Sequence, residues 1–447
     1  MSYDEICPEC NQEFNTSIYN GWCKPCNSKH FQNDFNNWTS GNDKIDKLIQ
    51  DAQLNADGNL KVTEWIPYDR FKDIRQIGKG GFGTIYYAMW IDGYILQWDI
   101  KNQQWERYPE GKEVALKMFH NFVNFNDVLN EMEIHLKIDN NYDASLRFFG
   151  ITQDPETHSY IMVLEYAEGG NLREYLKINF NNINWKQKLD NLYDLSANLM
   201  SIHELDIVHQ DFHPGNILSY NFKSSYITIS DFGLSKLIGA NPNNPEKKNI
   251  FGVLPYIAPE VLSGEEEYTK AADVYSFGII AYEIVTGFLP YPDVPHDNDL
   301  ALKICNGLRP KIPFHIPKLI ARMIMRCWDA RVTHRPTFGE LRDELWKYWN
   351  DRYVYLKEGI INNDSEIVIQ IENSEKLSKN LGLINSTTTT PLNYQTHPQA
   401  IYTSRLLNFS KLPKPKNEKN FERELEELTK STSALSIAAS KLHVPDF

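Results

Sequence analysis

Apolar and polar positions divide the chain into four zones. Up to about Ser28 aliphatic residues are sparse. Ile45, Leu48, Ile49 and Ala52 then recur at i, i+3, i+4 and i+7, the stripe of a helix packed on one face, and Gly58 supplies a stop. From Phe71 to about Trp349 short runs with strand periodicity alternate with long helical patterns, and most apolar residues lie here. Beyond Tyr353 the chain turns polar, through a Ser-Thr-Thr-Thr-Thr-Pro run at 386–391 and the segment Leu412-Pro413-Lys414-Pro415-Lys416. Such a tail buries too little apolar surface to offset its ordering entropy, so most of it is expected to be disordered. A short helix with Phe421, Leu425 and Leu428 on one face is the exception. The pattern predicts an α+β protein with a small module at 1–30, a helical linker at 31–70, a main domain at 71–349 and a low-complexity tail at 350–447.

Composition narrows the function. A formal net charge of −13 argues against a nucleic-acid or anionic-membrane binder, which needs a basic face. No apolar run reaches 18 residues; the most apolar stretch, Val274 to Phe288, is interrupted by Glu283, so no membrane span is expected. The opening MSYDEICPEC lacks the basic and apolar regions of a secretory signal. A cytoplasmic setting is the expectation, with the nucleus as the alternative.

The richest chemistry starts at Ile77-Gly78-Lys79-Gly80-Gly81-Phe82-Gly83-Thr84-Ile85. Glycines without a Cβ let backbone N–H groups come close to phosphate oxygens. A dinucleotide-binding turn shares this spacing but continues into a helix, whereas Thr84 to Trp90 reads as a second strand. Val114-Ala115-Leu116-Lys117 then places a lysine at the end of an apolar strand, where only anions make its burial tolerable. Glu131 is the first choice for the paired carboxylate, because Val128, Leu129 and Met132 mark the buried side beside it; Glu133 is the second. Between Gly83 and Lys117, 33 residues exceed a tight hairpin, and Gly93 to Asn102 reads as extra strand and turn.

Downstream, His209-Gln210-Asp211-Phe212-His213-Pro214-Gly215-Asn216 offers an Asp able to accept a hydroxyl proton and an Asn five positions later able to ligate Mg²⁺. Asp231-Phe232-Gly233 ends an alternating strand with a second Mg²⁺ ligand. Ala258-Pro259-Glu260, Asp273 to Gly278 and Arg335-Pro336 follow in order. On these motifs the chain resembles the eukaryotic protein kinases, within them the tyrosine-kinase-like and tyrosine-kinase branch, over about 280 of its 447 residues.

The resemblance implies a bilobal fold with a small β-rich N-lobe and a large helical C-lobe, and transfer of the γ-phosphoryl of Mg·ATP to protein Ser/Thr hydroxyls, with dual specificity as the alternative acceptor class. It implies Asp211, Lys117 and Glu131 as the catalytic set and Asn216 and Asp231 as Mg²⁺ ligands. ATP would be held by Ile77, Gly78, Lys79, Gly80, Gly81, Phe82, Gly83, Ile85, Ala115 and Lys117, with Leu164 as gatekeeper and Glu165 to Ala167 as the adenine-binding hinge. Asp273 would brace the catalytic loop, and Arg335 would pair with Glu260. A pseudokinase scaffold that binds nucleotide and partners without turnover is the competing reading; retention of Lys117, Asp211 and Asp231 speaks against it. Three departures stand out: Gln210 where the family usually has Arg, His213 where Ser/Thr enzymes often have Lys, and Val253 where they usually have Thr. From Lys236 to Pro255 there is no Ser, Thr or Tyr, so the loop has no acceptor for an activating phosphate and Gln210 no charge to receive one. Control is expected from the head, the tail or a protein partner of either.

At the head, Cys7, Cys10, Cys23 and Cys26 form C-x₂-C-x₁₂-C-x₂-C, two knuckles able to present four thiolates to one structural Zn²⁺, with His30 as a weaker substitute ligand. A segment so short and poor in core residues needs a metal to fold. This zinc-ribbon-like head, together with Thr390-Pro391-Leu392-Asn393-Tyr394 in the tail, is similar to an expanded family of fungal kinases.

Overall fold

The apolar stripes of the first third of the chain close around one sheet. Helices α1 (Lys24–Asp34) and α2 (Asp43–Asn55) precede β1 (Glu64–Trp65), β2 (Phe71–Lys79), β3 (Gly83–Trp90), β4 (Ile95–Asp99), β5 (Gln104–Arg107) and β6 (Lys112–Phe119). Helix α3 (Phe125–Asp139), β7 (Phe148–Gln153) and β8 (Tyr160–Glu165) complete this part. The sheet order is β1-β7-β8-β6-β3-β2, with β1 parallel to β7 and the other neighbours antiparallel. The computed structural model describes residues 6–13, 22–81, 83–120, 125–139, 144–223, 226–237, 250–264, 267–358, 365–380, 396–409 and 411–429. It divides into two compact units, residues 1–168 with 228–234, and residues 169–227 with 235–447.

In the first unit, segment 31–70 is built into the core. Ile45 and Ile49 of α2 are fully buried against Val128, Leu129 and Met132 of α3 and against Phe148 and Met162. The cap is local: Asn42 Oδ1 accepts from the Lys44 N–H at 3.0 Å. The inserted stretch forms the separate β4–β5 hairpin, and the cysteine head covers it. His30 stacks on Trp98 with ring centroids 4.0 Å apart, and Phe31 on Trp105 at 4.3 Å. Trp22, Phe31, Ala56, Val62 and Ile95 make a small core of their own there.

The second unit is mainly helical: α4 (Leu172–Asn179) and α5 (Trp185–Glu204) precede the short strands β9 (Ile207–Val208), β10 (Ile217–Ser219), β11 (Ile227–Ile229), β12 (Lys236–Leu237) and β13 (Ile250–Gly252). Then come α6 (Pro259–Ser263), α7 (Lys270–Thr286), α8 (Asn298–Cys305), α9 (Lys318–Cys327) and α10 (Phe338–Glu358). Helix α7, the most apolar stretch, is buried from Ala272 to Thr286. Among the described residues no helix is long and apolar enough to cross a membrane.

The expectation of a mostly disordered tail fails over its described residues. Helix α11 (Glu366–Asn380) buries Ile367, Val368 and Ile371. Strand β14 (Arg405–Leu407) pairs antiparallel with β13, Gly252 opposite Arg405 and Ile250 opposite Leu407. Helix α12 (Phe421–Thr429) buries Phe421, where a short helix was expected. A composition argument asks whether a segment can build its own core; these few apolar residues instead dock on one already made. The 386–391 run and Thr390 to Tyr394 lie outside the described residues.

Candidate functional site

The glycine turn joins β2 to β3, with Gly78 opposite Ile85 and Lys79 opposite Thr84. Gly80 N–H donates to the Gly83 carbonyl at 2.8 Å, closing the loop that contains Gly81. A Cβ on Gly83 would lie 2.7 Å from the Met118 carbonyl oxygen, so only glycine lets β3 start this close to β6. Ile77 keeps 45% of its surface exposed at the mouth of the turn. Phe82 lies outside the described residues. Ala115 pairs with Leu164 across β6 and β8, and Ile85 packs on the same core. Glu165 holds Lys112 at 3.2 Å, and Ala167 is buried two positions on.

Lys117, near the end of β6, is buried with its ammonium between two carboxylates. It pairs with Glu131 of α3 and, at 2.8 Å, with Asp231 Oδ1. Glu133 is exposed, so the helical period selects Glu131, which is wholly buried rather than at a border. Burial disfavours the Lys117 charge, but Asp231 and Glu131 outweigh it and hold the ammonium proton more tightly than in free lysine. Burial pushes the Glu131 carboxyl up to about 6; Lys117 pulls it down, and Asp231 pushes it up. Asp231 adopts a left-handed backbone at φ 64°.

In the second unit Asp273 organises the loop carrying Asp211. Fully buried on α7, it accepts from the backbone N–H of His209 at 2.9 Å and of Gln210 at 3.2 Å. It also lies 2.9 Å from His203 Nε2. Those bonds hold Gln210 at φ 68°, a conformation costly for a residue with a Cβ. Asn216 Nδ2 donates to the Asp211 carbonyl at 3.0 Å, so Asp211 and Asn216 are brought together. Arg335 grips Glu260 through two bonds of 2.7 Å and also donates to the Asp329 and Ala271 carbonyls. One participant was missed from sequence: tail residue Ser404 donates to Asp211 Oδ2 at 2.5 Å and lies 3.1 Å from His213 Nε2. Its sequence signal is the cluster Ile401, Tyr402, Leu406, Leu407 and Phe409 inside a polar tail.

The four head cysteines form a candidate metal centre. Their sulfurs lie within 4.8 Å of one another, with Cys7 to Cys26 at 3.8 Å and Cys10 to Cys23 at 3.7 Å. Four thiolates about 2.3 Å from one zinc in a tetrahedron stand about 3.8 Å apart, the spacing of those two pairs. His30 is not among them: its Nε2 lies 3.0 Å from Glu9.

A family model described as protein tyrosine and serine/threonine kinase matches residues 71–345. The chain is 29% identical over 313 residues to "Probable serine/threonine-protein kinase pats1" of Dictyostelium discoideum, covering 68% of this chain and 9% of that protein. It is 27% identical over 288 residues to "Dual specificity protein kinase pyk3" of the same organism, covering 64% and 19%. Against "Tyrosine-protein kinase SPK-1" of Girardia tigrina the identity is 27% over 330 residues, covering 67% and 60%. The chain thus spans less than two thirds of the length of each of these relatives.

Proposed function

The chain belongs to the protein tyrosine and serine/threonine kinase family, and from that premise we propose that it transfers the γ-phosphoryl group of ATP to serine and threonine hydroxyls of proteins. The observation that carries this reading is the buried Lys117 ammonium between Glu131 and Asp231. Phosphoryl transfer is catalysed mainly by positioning and by charges aimed at the phosphates, and such a lysine is a fixed charge of that kind. The backbone N–H groups of the Gly78–Gly83 turn and Lys117 bind the phosphates; Ala115, Leu164 and the Glu165–Ala167 segment hold the adenine. Asp211 accepts the proton of the attacking hydroxyl. Asn216 and Asp231 would hold Mg²⁺, an assignment that suits their oxygen donors, and the ion supplies charge neutralisation on the phosphates.

Acceptor preference is our own reading, since the relatives' names include serine/threonine, dual-specificity and tyrosine kinases. Serine and threonine are favoured by the Gly252-Val253-Leu254-Pro255-Tyr256 stretch, with dual specificity the alternative. Placement in the tyrosine-kinase-like and tyrosine-kinase branch, and kinship with an expanded fungal family, belong to the same reading. The four-cysteine head is a structural zinc module that offers a protein-docking surface, and reduced thiolates suit a cytoplasmic or nuclear setting.

The test is turnover of a protein acceptor with labelled ATP. Lys117→Met and Asp231→Asn should each lower the rate at least about a hundredfold, the scale of losing one well-placed charge contact. Wild-type rates in both variants would refute the assignment, and phosphotyrosine as the sole product would refute the acceptor class.

A further inference from the structure

Nothing in the proposed reaction so far accounts for Ser404. It reaches Asp211 from 193 positions away, and the direction of its protons follows from the backbone. Gly215 N–H points at His213 Nδ1 from 3.0 Å, so Nδ1 accepts. A neutral imidazole with an accepting Nδ1 carries its proton on Nε2. Nε2 therefore donates to Ser404 Oγ across 3.1 Å, and Ser404 directs its own O–H to Asp211 Oδ2. One lone pair of Oγ is engaged by His213 and the second is left for attack. A hydroxyl with its proton already on the base has the arrangement of a group-transfer acceptor.

The segment around Ser404 is seated by many contacts. Arg173 donates to the Tyr402 carbonyl at 2.5 Å, and Tyr402 donates its hydroxyl to the Pro290 carbonyl at 2.8 Å. His296 holds the Ile401 carbonyl at 2.9 Å through Nδ1, and Arg405 reaches the His296 carbonyl at 2.5 Å. Strand β14 extends the ladder with β13, and Leu407 is buried among Leu254, Ile257 and Leu300. An extended peptide added to an exposed strand is a common way for a domain to take a peptide.

We propose that Ser404 is an intramolecular phosphorylation site of this chain, an inference that rests on the kinase reading and on Asp211 as base. Ser404 Oγ attacks the γ-phosphorus of ATP and gives its proton to Asp211. The Oγ–P bond forms, the bond from phosphorus to the β,γ-bridging oxygen breaks, and ADP leaves with that electron pair. Until then the segment fills the place that a hydroxyl of another protein needs at Asp211. Afterwards a phosphoserine with about −1.5 to −2 charge faces the Asp211 carboxylate, which disfavours its return.

The experiment incubates the dephosphorylated full chain with Mg²⁺ and ATP, with casein present as an external acceptor, and maps phosphate by mass spectrometry over time. One phosphate on Ser404 is expected, with a first-order rate constant that stays the same within about twofold over a tenfold range of protein concentration. Ser404→Ala removes it, and an Asp211→Asn chain mixed with active enzyme gains none at Ser404. Labelled casein with unmodified Ser404 overturns the proposal and leaves the kinase reading standing. A rate proportional to protein concentration, or phosphate on the exposed neighbour Thr403 in place of Ser404, overturns it equally. If neither casein nor Ser404 is labelled, the kinase reading falls and this inference with it.

Discussion

Replacing Lys188 by methionine should stabilise the protein at neutral pH and remove part of its pH dependence. Lys188 lies on α5 within the second unit, and its Nζ donates to the Val285 carbonyl at 2.9 Å. The rings of Phe180 and Trp185 stand 4.3 and 5.0 Å away. The charged or titratable groups that act on it are Glu375, which favours its charge, and His315, which carries no fixed negative charge. Burial pushes the Lys188 ammonium down from 10.5 to about 7, only partly opposed by Glu375. Between those two values the unfolded chain binds a proton that the folded chain does not, so this residue makes stability rise with pH across the window. Its cost to the folded state is about 4 kcal/mol at pH 7.5 and falls to about 1 kcal/mol by pH 9.5. Methionine removes that cost but leaves the Val285 carbonyl without this donor, which offsets about 1 to 2 kcal/mol. The Lys188→Met protein should therefore be more stable by roughly 2 to 3 kcal/mol at pH 7.5, and its advantage should shrink by about 1.3 kcal/mol per pH unit. Urea unfolding of both proteins at pH 7.5, 8.5 and 9.5 measures the difference. Other groups displaced by burial, such as Glu283 and Cys305, contribute equally to both proteins and cancel. A difference that stays flat with pH to within about 0.5 kcal/mol would refute the reasoning, because Lys188 would then be charged in the folded state.

Protein purified without added metal should carry about one equivalent of zinc, and Cys10→Ser should lose most of it. Chelation should also red-shift tryptophan emission, because Trp22 and Phe31 cover Trp105; a folded, reduced head without zinc would sink the assignment. Arg335→Met strands the buried Glu260 carboxylate and should cost about 3 to 5 kcal/mol in chemical unfolding. Adding Glu260→Met should restore most of that loss, and a single-variant cost below about 1 kcal/mol would contradict the buried-pair account.

Much of the candidate site was legible because short-range geometry fixes it. A strand-end lysine after an apolar run and a helix whose period buries Val128 and Met132 leave Glu131 as the internal partner, and the two meet. The cysteine spacing foretold a cluster, and the sulfurs form one. Longer-range relations were not legible. The hairpin at Ile95–Asp99 and Gln104–Arg107 could be read as an insertion, yet Trp98 and Trp105 find their cover in His30 and Phe31, about 70 positions earlier. The tail was misjudged for a related reason. Leu407, Phe409 and Leu412 are too few for a core, but the surface at Leu254, Ile257 and Leu300 is already folded and needs only a covering strand.

That covering strand bears on how the loop before Ala258-Pro259-Glu260 is held. Gln210 offers its backbone N–H to Asp273 and carries no charge that could receive a phosphate. The stretch Lys236 to Pro255 contains no hydroxyl to bear one. The described end of the loop, Ile250–Gly252, is instead bonded along its length to β14. Gly252 sits there at φ 137°, and a Cβ on it would stand 3.1 Å from Ile257 Cδ1 and 3.4 Å from Asp211 Oδ1. The positive φ together with the tight contact to Ile257 explains glycine where the ladder runs past Asp211. A backbone ladder thus holds the described end of the loop, at 250–252. The strand paired with that end of the loop also brings Ser404 to Asp211, so both contacts depend on the same segment.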